Sequence, residues 1–138
     1  MKNILLDYSP IIRLLMSYQW LLRALANCET QYKMISRQID EGSAAEDVVD
    51  PDWKNKISAE AKNIRDKLRL AQQIVADIPD SPELLQCKLF LRNHYIPGMS
   101  LTNTAADMDV SISTIRRVKD RSFHYLSVLD VPELIRNI

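Results

Sequence analysis

SLTNTAADMDVSISTIRRVKDRSFHYLSVL, residues Ser100 to Leu129, is the stretch whose reading decides the fold. Ser100 is placed to cap a helix over Leu101 to Met108, and Ser111 to cap a second from Ile112 to about Leu129, with Asp109-Val110 as the turn between them. Ala105 falls where two helices cross closely and only a small side chain fits. Val110, Ile115 and Val118 supply apolar pins. Ile115, Val118, Ser122, Leu126 and Leu129 recur at steps of three and four, so one face of the second helix points inward. The opposite face carries Ser113, Arg116, Arg117, Asp120 and Arg121. This is the layout of a helix-turn-helix, a unit whose second helix enters the DNA major groove.

Working outward, the 138 residues suit one ordinary domain, or a small domain with an extension, and 46% apolar content is enough for a core. Two glycines in the whole chain, and no alternating β-branched run, point to an all-α protein. No apolar run approaches a membrane span, Met1 to Tyr8 does not read as a signal peptide, and no membrane partner is expected. Cys28 and Cys87 lack metal-ligand spacing and read as reduced core thiols of a cytosolic protein.

Two long amphipathic stretches precede this segment. Ser9-Pro10 opens the first, and Ile11, Leu14, Tyr18, Leu21, Leu25, Cys28, Tyr32, Ile35 and Ile39 continue it through unbroken heptads. Leu15, Leu22, Ile12 and Trp20 broaden the stripe enough to touch more than one partner helix. EGSAAEDVVDPD, Glu41 to Asp52, is an acidic connector. Beyond it Ile57, Ala61, Ile64, Leu68, Ala71, Val75 and Ile78 step by four and three, giving a second helix of matching length. The spacing predicts an antiparallel helical hairpin over residues 1–80. Ile78-Pro79-Asp80-Ser81-Pro82 breaks the chain, and 81–138 is read as a helix-turn-helix domain, with Ser81 capping a helix buried through Leu84, Leu85, Cys87, Leu91 and Tyr95. Leu134, Ile135 and Ile138, past Pro132, are positioned to fold back or to meet a partner.

The net charge of zero conceals an uneven distribution. Ser111 to Arg121 carries Arg116, Arg117, Lys119 and Arg121 against Asp120, whereas Asp40 to Asp52 holds six acids and no base. Local positive charge on the second helix is what phosphate binding needs, while the neutral total implies weak non-specific binding and a need for base contacts or a partner. The basic residues of the second long helix, Lys54, Lys56, Lys62, Arg65, Lys67 and Arg69, are read as a solvated face rather than a second phosphate strip.

Enzymatic chemistry has little footing: the chain has no phosphate-cradling glycine loop, no nucleophile elbow and no metal-ligand spacing, and His94 and His124 lie thirty residues apart. No catalytic residue, cofactor or metal is expected. For DNA, Ser111 and the first free N–H groups of the second helix are placed for a phosphate. Ser113, Thr114, Arg116 and Arg117 face base edges, Lys119 and Arg121 grip phosphate, and Thr102 and Asn103 touch the backbone.

VSISTIRRVKDRSFHYL, preceded by YIPGMSLTNTAADMD, resembles the region-4-like helix-turn-helix of bacterial sigma factors. Within that class, a short chain with a helical N-terminal half is most similar to small phage transcription regulators of the RinA/ArpU type. The resemblance covers roughly Leu84 to Leu129, about a third of the chain. Asp109 departs from it where glycine is usual, and Thr104 where isoleucine is usual. It implies a sequence-specific, phage- or prophage-encoded regulator of late genes that binds double-stranded DNA at promoters inside a bacterial host cell. The hairpin would dimerise or contact RNA polymerase. Two other readings stand beside it: the DNA-recognition subunit of a phage packaging terminase, and a protein-interaction module whose helix-turn-helix is vestigial.

Overall fold

The computed structural model describes residues 8–42 and 50–136, and among these the chain is all-α, with six helices and no strand. In chain order they are α1 (Pro10–Met16), α2 (Tyr18–Asp40), α3 (Trp53–Ala76), α4 (Leu85–His94), α5 (Leu101–Asp107) and α6 (Ile112–Ser127), followed by a short 3-10 turn, Glu133–Ile135. Most of the acidic connector, residues 43–49, and Ile138 lie outside the described residues. No described helix is long and apolar enough to cross a membrane.

Ser9 opens α1 as its spacing predicts: its side chain accepts from the Ile12 N–H at 3.3 Å, and Pro10 occupies the first turn, where no N–H is needed. The continuous helix expected onward to Ile39 is instead two helices. Ser17 caps α1 at φ −91°, ψ 0°, its N–H shared between the carbonyls of Arg13 and Leu14 at 3.0 and 3.2 Å. Serine competes poorly with straight-chain residues inside a helix. In addition, α1 buries four positions on two adjoining flanks, Ile11, Ile12, Leu14 and Leu15, against α6 and the 3-10 turn. A single heptad seam running straight into α2 does not bury both flanks.

Two compact units form. The first comprises Met1–Gln19 with Arg69–Ile138, and the second Trp20–Leu68. In the first, α4 packs on α6 and α5, and its core gathers Ile11, Leu14, Phe90, Leu91, Ile115, Val118 and Leu126 with Ile78 and Ile135. Gln72 Nε2 donates to the Tyr18 hydroxyl at 2.6 Å, and Gln19 Nε2 donates to the Ile96 carbonyl at 2.6 Å. Gly98 at φ +77° turns the chain directly over Gln19; a Cβ there would lie 2.9 Å from its Cδ, so the position takes no side chain. In the second unit the stripes of α2 and α3 run in opposite directions. The Tyr32 and Trp53 rings meet at 5.1 Å, while Cys28 is buried nearer the middle of both helices, lining one cleft with Ala61 and Arg65. Leu25, Ile35, Ile39 and Ile57 remain only half-buried in this pair.

The start of α4 also differs from its sequence pattern. Ser81 does not cap it with its hydroxyl; its carbonyl accepts from the N–H groups of Leu84 and Leu85 at 3.1 and 2.8 Å, closing a turn, and the helix begins at Leu85 without a side-chain cap. That shift exposes Leu85 and buries Phe90 completely.

Candidate nucleic-acid interface

The site is built from the α5–α6 segment. Ser100 caps α5, its Oγ accepting from the Asn103 N–H at 3.1 Å, and buried Thr104 returns its hydroxyl to the Ser100 carbonyl at 2.8 Å. The other end closes through two bonds: Asp109 N–H to the Ala106 carbonyl at 3.1 Å and Val110 N–H to the Ala105 carbonyl at 3.0 Å. That paired closure needs a left-handed residue at its corner, and Asp109 supplies it at φ 55°. Aspartate accepts this conformation because its short polar side chain tolerates it better than most. Ser111 then starts α6, accepting from the Thr114 N–H at 3.1 Å. The turn therefore fixes the direction of α6, and burial of Ile115, Val118, Ser122 and Leu126 fixes its rotation. Ser122 is admitted to the core because its hydroxyl bonds to the Val118 carbonyl at 2.7 Å.

With Ile115 inward, a step of about 100° per residue sorts the remaining positions of α6. Ser113, Arg117, Asp120 and His124 follow the outward line, and all are exposed. Arg116 is exposed on one shoulder, while Thr114 and Arg121 lie on the other. Arg116 and Arg117 have no ion-pair or hydrogen-bond partner among the described residues. Thr102 and Asn103 are exposed in the first turn of α5.

Three residues stand differently from their sequence reading. The Ser111 hydroxyl is used twice, accepting from the Thr114 N–H and donating to Thr114 Oγ1 at 3.0 Å, so the cap holds the helix and Thr114 together and leaves the first backbone N–H groups to meet an anion. Lys119 falls about 40° from Ile115, on the inward side of the helix. It is half-buried, with Nζ 5.5 Å from the Phe123 ring centroid, so its ammonium lies over the ring rather than pointing away with the arginines. Arg121 is exposed but tethered: its Nη2 donates to Gln86 Oε1 of α4 at 2.8 Å. Because Gln86 is a neutral acceptor, the bond orients the guanidinium without cancelling its charge.

Thr114, Arg117, Asp120 and Arg121 together line an open depression of about 450 Å³ on the exposed side of α6. The part played by Gln86 was invisible in the sequence, since a polar residue on a preceding helix gives no sign of which cation it will meet. Behind α6 lies a cluster of rings: His94 stacks on Phe90 at 5.2 Å and meets Tyr95 edge-on at 4.6 Å, and Phe123 contacts Tyr8 and Tyr95 at 5.5 and 6.3 Å. Burial, reinforced by the Lys119 charge and partly opposed by the Met99 backbone, holds His94 below its ordinary value. Burial first, and then Tyr8, pushes the Tyr95 hydroxyl up to about 12.

No family model, curated protein or solved structure matches this chain. The chemistry available to the site therefore rests on its own geometry: uncompensated guanidinium groups on the outer side of a rigidly aimed, capped helix, suited to a polyanion with readable edges.

Proposed function

We propose that this protein is a sequence-specific DNA-binding transcription regulator, with α5 and α6 forming a sigma-region-4-like helix-turn-helix and α6 as the reading helix. The observation that carries this is the adjacent pair Arg116 and Arg117, exposed and unneutralised in the second turn of a helix whose rotation is fixed by a fully buried opposite face. A bidentate arginine–guanine contact is worth roughly 1–3 kcal/mol of discrimination. Arg121 contributes a phosphate contact, and Lys119 supports the helix more than it reaches outward. The sequence resemblance adds the setting: a RinA/ArpU-like regulator of phage or prophage late genes, acting at promoters. The two long helices serve as a hairpin that dimerises or meets RNA polymerase, and the half-buried apolar residues of Trp20–Leu68 support such a contact.

Selection of genomic fragments by the purified protein, at near-physiological salt and beside an Arg116→Ala/Arg117→Ala variant, tests the proposal. A few fragments enriched by the wild type and lost in the variant are expected. Equal fragment preference in the two proteins would remove the arginines from base readout. No enrichment by the wild type would sink the proposal and turn attention to protein partners.

A further inference from the structure

Asp120 sits where a DNA-facing helix should least tolerate it. It shares the outward line of α6 with Ser113, Arg117 and His124, it is exposed, and among the described residues no hydrogen bond or ion pair engages its carboxylate. Four cations lie within four residues of it in sequence, yet none closes on it. Arg121 is drawn to Gln86 at 2.8 Å, and Lys119 lies over Phe123 at 5.5 Å. Arg116 precedes Asp120 by four residues, the order in which a helical ion pair is less favourable. Arg117 and Arg121 border the same depression without neutralising it. The carboxylate is thus left bare in the middle of a basic surface.

Against phosphate a bare carboxylate is repelled, so it can be accommodated at the interface only by a hydrogen-bond donor. In the major groove the base donors are the amino groups of cytosine and adenine. Guanine offers N7 and O6, and thymine O4, all acceptors that repel a carboxylate. Adenine sets its amino group beside N7, so attraction and repulsion oppose each other there. Cytosine alone presents an amino donor with no acceptor of its own on that edge. Resting on the DNA-binding reading above, we infer that Asp120 is a specificity-determining residue that selects cytosine at one position of the bound site by accepting from its N4 amino group. The aspartate excludes as well as selects: it lowers affinity for every site that places an acceptor or a phosphate opposite it.

Selection from a random-sequence duplex library by wild type, Asp120→Ala and Asp120→Asn tests this. The wild type should favour cytosine at one position about tenfold over the other bases. Asp120→Ala should lose that preference alone, keep the rest of the site, and bind unrelated DNA roughly threefold more tightly because one negative charge is gone. Asp120→Asn should move the same position toward adenine, since a side-chain amide can pair with N6 and N7 together. Thermal melting should be unchanged in both variants, because the side chain is exposed and unbonded. A site that both variants select with undiminished cytosine preference would overturn the inference while leaving the DNA-binding reading standing. So would loss of all preferences together in a folded Asp120→Ala protein, which would mean that the residue aims the helix and reads no single pair. A wild type that selects no site would overturn both.

Discussion

His94 is enclosed by rings and by charge. Phe90 stacks on it, Tyr95 meets it edge-on, the Lys119 ammonium adds to the cost of protonating it, and its buried Nδ1 has no hydrogen-bond partner among the described residues. Burial, the largest of these effects, favours the neutral imidazole in the folded chain. In the unfolded chain the ring titrates near the ordinary 6.5. Below that pH the unfolded state binds a proton that the folded state resists, so the stability contributed by neutral His94 is present above about 6.5 and is lost as pH falls toward the lower folded value. Urea midpoints should accordingly fall between pH 7.5 and 5.5 with a steeper slope for the wild type than for His94→Phe, which keeps the ring contacts and removes the titration. Parallel slopes would show that His94 does not contribute to the pH dependence. The sequence showed a histidine near a helix end and nothing more. The shift arises first from burial, in a place where the ring stacks on Phe90, whose own burial the pattern of α4 missed, and then from Lys119 on another helix.

At the scale of elements, the turn joining α5 to α6 determines where α6 points, and its stability depends on one unusual corner. Asp109 is the sole described non-glycine residue at positive φ, held there by the Asp109–Ala106 and Val110–Ala105 backbone bonds. Glycine adopts this conformation without a Cβ penalty, whereas a β-branched residue strongly resists it. Asp109→Gly should therefore stabilise the fold by about 0.5 kcal/mol, and Asp109→Val should destabilise it by about 1–2 kcal/mol. Equilibrium denaturation gives both values; a Val variant as stable as the wild type would mean the corner relaxes to another turn. The two serine caps, this turn and the inward face of α6 were legible in the sequence because each is a local rule: a short polar cap, a left-handed corner, a step of three and four. The interruption at Ser17 was not. Periodicity measures which side of a helix is apolar, and Ile11, Leu14, Tyr18 and Leu21 keep their steps of three and four across the break. The step of about 100° per residue from Ile115 does put Lys119 on the inward side, but it gives no sign that the ammonium comes to lie over the Phe123 ring rather than against a phosphate.

At the scale of the whole molecule, the apolar stripes identify which faces are buried but not which faces they are buried against. The Pro79–Pro82 break does end α3, yet the first compact unit runs through it and takes in Met1–Gln19 as well. That unit is assembled by contacts between residues far apart in the chain, such as Gln19 with Ile96, Tyr18 with Gln72, and α1 with both α6 and the 3-10 turn. Such pairings leave no local signature. They do have a consequence that can be measured. A fragment of residues 81–138 retains α4, α5 and α6 but lacks Ile11, Leu14, Leu15, Val75 and Ile78, all buried in this unit. Each fully buried aliphatic side chain removed from a core costs roughly 2–5 kcal/mol, and a small domain has about 5–15 kcal/mol in total. The fragment should therefore unfold without a cooperative transition, whereas the full chain should melt cooperatively. Leu14→Ala in the full chain should lower stability by about 2–5 kcal/mol, although the leucine lies about 100 residues from α6. A fragment that melts cooperatively at the midpoint of the full chain would mean that α1 and the end of α3 only cover a domain that α4, α5 and α6 already complete.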